Sequence, residues 1–363
     1  MRHLLPAGLL VVVPLSIGTP SAAQHCGGPC EVRRPAGPPI SANPRFTLVP
    51  GKEVTNWRYL DNFIWTENGE QKSSLYKTLS SPQMIAFGYR RIFVSPAGNG
   101  FLVTGNAYAR GDNFLLSGRT HARIAPLFVF CSEEGTPLVE VSVREGLTKE
   151  EIKRGPCPSC KCCKDILYVF KKDPALSPNG CFVELDAAGS GRTLSFCLPL
   201  GAPIKDRAAF ENRLAELEWA RIPADLRRQK RAEIQALVAE LGGDDAQLRA
   251  EADQGLVALG FLALPVVRAS RTQTESKEQR ARIRGIEERL KPWAATGYER
   301  MSVDLDLLAA LLSYPEAAVV KAVRTRLAQV LPDEGASDWD PWIKKHRDRL
   351  QWDSKLRRYT LKR

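Results

Sequence analysis

The chain has 363 residues, 44% of them hydrophobic and 26% charged, and its 52 lysines and arginines against 41 acids give a formal charge of +11. That composition belongs to globular proteins and leaves room for a sizeable core and for two or three domains. The common hydrolase arrangements are hard to find. Only four histidines occur, and there is no Gly-x-Ser-x-Gly elbow, no His-Glu-x-x-His pair and no glycine-rich loop opening onto a helix.

Met1 to Ala23 has a basic start at Arg2, an apolar run around Leu9–Val13 and the small residues Ser21-Ala22-Ala23. This is the pattern of a secretory signal peptide cleaved before Gln24, so an exported protein, periplasmic or extracellular, is expected. The run is broken by Pro6 and Pro14, and nothing later approaches the ~20 residues of a spanning helix, so no transmembrane segment is expected after cleavage. Ala23-Gln24-His25 before Cys26 lacks the small-and-aliphatic pattern of a lipoprotein site. Residues 24–44 read as a Pro-, Gly- and Cys-rich arm.

Residues 45–200 read as an all-β domain. Aromatic and β-branched segments at Arg45–Val49, Trp57–Trp65, Met84–Phe87, Arg91–Val94, Phe101–Thr104, Phe114–Ser117, Leu127–Cys131, Leu138–Val143, Ile166–Phe170, Cys181–Leu185 and Leu194–Leu198 alternate with turn residues. Ser95-Pro96-Ala97-Gly98 and Glu134-Gly135 each sit between two such strands. This strand–turn–strand pattern over about residues 90–145 and 165–198 resembles blades of WD-type β-propellers, which implies a propeller-like sheet, with a β-sandwich as the alternative.

Nine cysteines (Cys26, Cys30, Cys131, Cys157, Cys160, Cys162, Cys163, Cys181 and Cys197) all precede residue 200, which sets a boundary near Gly201. In an exported chain they read first as structural disulfides, with one thiol left over. The Cys157-Pro-Ser-Cys160-Lys-Cys162-Cys163 cluster has two further readings. Two thiolates spaced Cys-x-x-Cys can share a zinc ion, with Cys131, Cys181 or Cys197 completing the tetrahedron. A redox dithiol is the other, since Arg154, Lys161 and Lys164 would favour the thiolate. No cofactor other than this possible zinc is implied.

Residues 201–343 read as helical. Asp206–Arg221 presents Phe210, Leu214 and Leu217 on one face, and Pro223 opens the next helix, whose stripe is Ile234, Leu237, Val238 and Leu241. Gly242-Gly243 closes it, and Asp244 is the expected cap of the following helix, with Gln247 completing a capping box. Leu248, Ala252, Leu256 and Leu259 continue the stripe until Gly260, and Pro265 suits the first turn of a third helix. The acidic pairs Asp304/Asp306 and Glu287/Glu288 read as solvated faces. Leu237, Leu241, Leu248, Ala252, Leu256 and Leu259 recur 71 residues later as Leu308, Leu312, Val319, Val323, Leu327 and Val330. Leu237 to Asp245, Gly260 and Leu264-Pro265 resemble the HEAT-like repeats of exported bacterial proteins. That resemblance, over about residues 230–331, implies a short helical solenoid and binding of a protein partner instead of a reaction. The overall expectation is thus a multidomain α and β chain, an all-β domain followed by a HEAT-like solenoid. Asp338 is expected to cap a last helix carrying Trp339, Trp342 and Trp352, which would cover the solenoid's open end.

Residues 344–363 read as a basic tail. Nine cations, Lys344, Lys345, Arg347, Arg349, Lys355, Arg357, Arg358, Lys362 and Arg363, face only Asp348 and Asp353, a net +7 with Trp352 and Tyr359 interleaved. Outside the cytoplasm such a surface would meet an anionic envelope polymer, lipid headgroups or an acidic protein, and no specific nucleic acid is implied. Lys344, Lys345, Arg347, Arg349, Arg357 and Arg358 are its candidate contacts.

Overall fold

The computed structural model describes residues 39–50, 63–74, 89–105, 108–110, 126–151, 153–155, 166–177, 180–290, 300–332, 339–354 and 356–362. The signal peptide, most of the arm, the strands expected at Met84–Phe87 and Phe114–Ser117, the 157–163 cysteine cluster and Asp338 lie outside the described residues.

The strands of the first half are β1 (Ile40–Ser41), β2 (Phe46–Pro50), β3 (Phe63–Glu67), β4 (Glu70–Ser74), β5 (Tyr89–Val94), β6 (Phe101–Gly105), β7 (Tyr108–Arg110), β8 (Pro126–Cys131), β9 (Pro137–Ser142), β10 (Lys153–Gly155), β11 (Ile166–Tyr168), β12 (Ala175–Leu176), β13 (Phe182–Asp186), β14 (Thr193–Cys197) and β15 (Ala202–Ile204). They form a five-stranded sheet in the order β1-β5-β6-β8-β9, a four-stranded sheet β12-β13-β14-β15, and two three-stranded sheets, β2-β3-β4 and β10-β11-β7. All pairings are antiparallel except β1 with β5.

The central strands are apolar at consecutive positions because both faces of their sheet are covered. Ile92, Val94, Phe101, Val103, Val129 and Cys131 pack with Phe46, Leu48 and Trp65 of the β2-β3-β4 sheet. The alternate residues Phe93, Leu102, Phe128 and Phe130 pack on the opposite face with Val183, Leu185, Leu194 and Phe196 of the four-stranded sheet. Phe196 is wedged between the two rings opposite, with centroids 5.2 Å from Phe128 and 5.8 Å from Phe130. The register depends on one glycine. At Gly100, with φ of +146°, a Cβ would lie 2.0 Å from the Cys131 carbonyl oxygen, so no other residue lets Phe101 sit opposite Cys131.

The four-stranded sheet is likewise covered twice. Cys181, Phe182, Cys197, Ala202 and Ile204 belong to the same core as the helices that follow. These are α1 (Arg207–Arg221), α2 (Ala224–Glu240), α3 (Ala246–Leu259), α4 (Leu264–Gln273), α5 (Lys277–Arg289), α6 (Leu305–Leu311), α7 (Ala317–Val330) and α8 (Trp339–His346), after which β16 (Leu350–Asp353) and β17 (Arg358–Leu361) form an antiparallel hairpin. Phe210 of α1 is the hinge of this packing, edge-on to Phe182 at 6.4 Å and to Tyr314 at 5.5 Å. Local signals set most helix ends. Asp206 caps α1 through the Ala209 amide, and α3 is capped by Asp245, one residue after the expected Asp244, through the amides of Gln247 and Leu248. Gly260, with φ of +61°, ends α3, and Pro265 lies in the first turn of α4.

The expected propeller-like or sandwich domain followed by a HEAT-like solenoid is corrected by this packing. The described β-sheets stack in layers and do not close as a propeller, and a two-sheet sandwich would not need inner strands apolar on both faces. The helices gather round one core that begins in a sheet, whereas each solenoid repeat contacts only its neighbours. Of the six recurring pairs one differs sharply in environment, since Leu248 is 48% exposed while its counterpart Val319 is 0% exposed. Trp352, expected on the last helix, sits on β16.

Charges knit the layers. Glu211, 2% exposed, receives Arg207 Nε at 2.9 Å and Arg268 Nη2 at 2.6 Å, and Arg268 and Arg271 both reach Glu287 at 2.7 and 2.6 Å. Arg207 also reaches Glu184 of β13. Glu287 is therefore a structural carboxylate and not a solvated one. Asp304 likewise caps α6 and accepts Arg221 Nη2 at 2.7 Å, while Asp306 accepts Arg347.

Two outcomes are expected. Phe196→Ala should cost about 3–5 kcal/mol in chemical denaturation, because the ring fills the space between two sheets. Glu151 is buried and accepts Arg192 Nη2 at 2.8 Å, and that bond chiefly holds its carboxyl down at about 2 against the opposing effect of burial. A depressed folded pKa contributes stability above the ordinary value of 4.5, lost as pH falls toward about 2. Glu151→Gln should then cost about 1.5–3 kcal/mol at neutral pH, and the gap to the parent should close across that window in pH-dependent unfolding.

Candidate functional site

The Cys157, Cys160, Cys162 and Cys163 cluster lies outside the described residues, and among the described residues no three His, Cys, Asp or Glu side chains converge as a metal site. The thiols expected to complete a zinc tetrahedron are separated. Cys131 lies in the core between the β2-β3-β4 and five-stranded sheets, while Cys181 and Cys197 lie in the helical core. Burial pushes all three thiols up, Cys197 to about 12. A metal ligand or attacking sulfur is a thiolate, so these residues suit packing better than chemistry.

The basic end of the chain is folded and docked. Its hairpin is pinned one pair short of the turn by Trp352 and Tyr359, 5.1 Å apart edge-on, and Tyr359 Oη donates to the Val303 carbonyl at 2.8 Å. His346 packs 4.4 Å from Trp342 and bonds its carbonyl through Nδ1, so it is occupied in ending α8. At the tip, Arg357 holds φ of +52° and points at the β half. Its guanidinium donates to the carbonyls of Gly98 at 2.7 Å and Ala97 at 2.8 Å and pairs with Glu133 at 2.9 Å, and it lies 5.5 Å from the Phe46 ring centre. Of the six candidate anion contacts, Arg357 is thus a tie between the two halves. Lys344 pairs with Asp340 at 2.6 Å and Arg347 with Asp306. Lys345, Arg349 and Arg358 are exposed, as is Lys362, whose amide bonds the Arg349 carbonyl at 2.7 Å.

A shallow cleft opens beside this tie, between α7 and the β half. Phe130, Leu138, Val139 and Leu200 form its apolar wall, and Ala322, Thr325, Arg326 and Gln329 form its other side. It encloses only about 10 Å3, room for one water, and is otherwise open to solvent. Arg326 is 9% exposed, donating Nε to the Ser302 carbonyl at 2.6 Å and Nη1 to Gln329 Oε1 at 3.1 Å. Burial, then the charge of Arg357, pulls its guanidinium down to about 10, with Glu133 opposing. Sequence reading passed over Arg326, yet the signal was there. It falls in phase with Val319, Val323 and Val330, an arginine on the buried stripe of α7.

One apolar surface remains. The run Ala246–Gln273, which joins α3 and α4, has an 18-residue window of mean hydropathy 1.4 of which only 33% is buried. By length and composition alone it could cross a membrane, contrary to the expectation that no later segment would approach one. Its buried residues, among them Ala252, Leu256, Phe261 and Val267, face the helical core, and its Arg268 is bonded to Glu211 and Glu287. Leu248 stands out from it at 48% exposure, with Val257, Leu259, Leu262 and Val266 half-buried.

No protein-family model, curated protein or solved structure matches the chain.

Replacing Arg357 tests the tie. Arg357→Met should cost about 1.5–3 kcal/mol, the range for hydrogen bonds to a charged group. In hydrogen exchange the amides of residues 350–361 should open faster while those of β6 and β8 stay protected.

Proposed function

We propose that the chain is an exported, non-enzymatic interaction protein that docks a protein partner on the outer side of the run Ala246–Gln273. The observation that carries this reading is the mismatch between that run's apolarity and its burial, a mean hydropathy of 1.4 with a third of the window fully buried, Leu248 exposed, and Leu259, Leu262 and Val266 half-buried at the edge of the helical core. Exposed single leucines are ordinary, but a long apolar helical surface is a site for another surface. The rigid support is already present, since α4 is anchored by Arg268 to α1 and α5. The signal-like residues 1–23 support export, and the paucity of catalytic motifs supports binding over turnover.

A second reading rests on the exposed cations Lys345, Arg349, Arg358 and Lys362, which suit attraction to an anionic envelope polymer. The two readings separate by salt, because exposed charge is screened and apolar contact is not.

The test is a photo-crosslinking residue at position 248 in the exported full chain, with the same residue at exposed position 277 as control. A discrete protein adduct at 248 alone, retained in high salt and competed by the untagged parent but not by its Leu248→Glu variant, is the expected outcome. Equal labelling at 277 would overturn the docking surface, and an intact mass that retains residues 1–23 would overturn export.

A further inference from the structure

We infer that the β half carries an arginine-recognition socket, apart from the apolar run above and filled in this chain by its own Arg357, and that an arginine of a partner protein binds there by displacing it. The first support is the acceptor set. Arg357 Nη1 donates to the Gly98 carbonyl at 2.7 Å and to Glu133 Oε2 at 2.9 Å, and Nη2 donates to the Ala97 carbonyl at 2.8 Å. The guanidinium carbon lies over the Phe46 ring, 5.5 Å from its centre. Two carbonyls and a carboxylate thus accept from two separate nitrogens while an aromatic ring meets the cation. A planar guanidinium fits that arrangement, whereas an ammonium offers its donors from a single point.

The second support is that the socket is built by bonds within the β half. The turn at residues 95–100, between β5 and β6, is buried, with Gly98 N donating to the Ser95 carbonyl and Ser95 N to the Gly100 carbonyl, both at 3.0 Å. The Ser95 hydroxyl donates to Asn99 Oδ1 at 2.6 Å, while Asn43 Nδ2 donates to the Pro96 carbonyl at 2.9 Å and Asn99 Nδ2 to the Pro199 carbonyl at 2.7 Å. Gly98 holds φ of +66°, and a Cβ there would lie 2.4 Å from the Phe46 ring, so glycine keeps ring and carbonyl side by side. Glu133 stands on the β8–β9 turn, where Ser132 N donates to the Thr136 carbonyl at 2.8 Å. Acceptors fixed in this way are preorganised for a ligand. The third support lies with the occupant. Arg357 reaches the socket from φ of +52°, a left-handed conformation uncommon outside glycine, and an arginine on an extended partner segment carries no such strain. With Arg357 27% and Glu133 44% exposed, the socket opens to solvent, where one arginine can replace another.

The experiment is calorimetric titration of the full chain at low salt with N-acetyl-arginine amide, the lysine and citrulline counterparts serving as comparison probes. Arg357→Gly suits the left-handed turn and vacates the socket. In that variant saturable binding of the arginine probe at one site is expected, roughly tenfold tighter than either comparison probe. Affinity in the parent should be roughly tenfold weaker, because Arg357 competes. Adding Glu133→Gln to Arg357→Gly should abolish the binding. In the parent, saturating arginine probe should speed hydrogen exchange at the amides of residues 356–358 while β6 and β8 stay protected, a readout that remains should Arg357→Gly fail to fold. No saturable binding to folded Arg357→Gly, equal binding of the lysine or citrulline probe, equal affinity in the parent, binding that survives Glu133→Gln, or unchanged exchange at residues 356–358 would each overturn the proposal.

Discussion

The strands β13 and β14 send alternate residues into two different cores, and the rest of the architecture depends on that double burial. Val183, Leu185, Leu194 and Phe196 close the space above the five-stranded sheet, while Phe182 and Cys197 found the core of the helices. The hydrophobic effect is non-directional, so the direction has to come from the pleat. One residue of slip would exchange the two sets and put Glu184 and Ser195, now on the helical side, against the rings of Phe128 and Phe130. Glu184 meanwhile receives Arg207 from the first helix, so the charge contacts and the pleat specify the same register. The helical part is thus tied to the sheet by a shared core and by ion pairs at once.

Much of the first half was legible because strand chemistry is local. The expected segments at Arg91–Val94, Phe101–Thr104, Leu127–Cys131 and Leu194–Leu198 fall within a residue or two of β5, β6, β8 and β14. Their arrangement was not legible, although Ile92-Phe93-Val94 and Leu127 to Phe130 carry its signature in being apolar at successive positions. Such runs mean coverage on both faces, which neither a sandwich nor a propeller blade with a wet side provides. The solenoid expected from the helical recurrence is not what the packing shows, for a related reason. Apolar residues at spacings of three and four report that a helix has a buried face, and not what lies against it. Leu248 and Val319 hold equivalent places in the pattern, one in solvent and one in the core.

The basic end shows the same limit in electrostatics. Counted along the sequence, residues 344–363 are a run of excess charge. In space, Lys344, Arg347 and Arg357 are met by Asp340, Asp306 and Glu133, carboxylates that lie 4, 41 and 224 residues away in the chain. Only the first of these was within reach of a helix-spacing argument. The aromatic residues of this segment, read as partners for stacking, instead support a hairpin, with Trp352 against Tyr359 and the Tyr359 hydroxyl on Val303.

The contrast between Glu211 and Arg326 then becomes informative. Both are charged, both lie on the buried stripe of a helix and both sit where layers meet. Glu211 is met by two arginines that continue into a chain of opposite charges, so its burial is compensated within the fold. Arg326 bonds a neutral carbonyl and a neutral amide, and burial, then the charge of Arg357, lowers its affinity for its own proton while Glu133 opposes them. A leucine or methionine in phase with Val323 and Val330 would fill the same stripe without the desolvation cost, and replacing buried charge by apolar volume is often stabilising. Sequences depart from local consistency where a site requires it. The departure here coincides with an opening to solvent, an apolar wall and a hairpin that ties the two halves beside it.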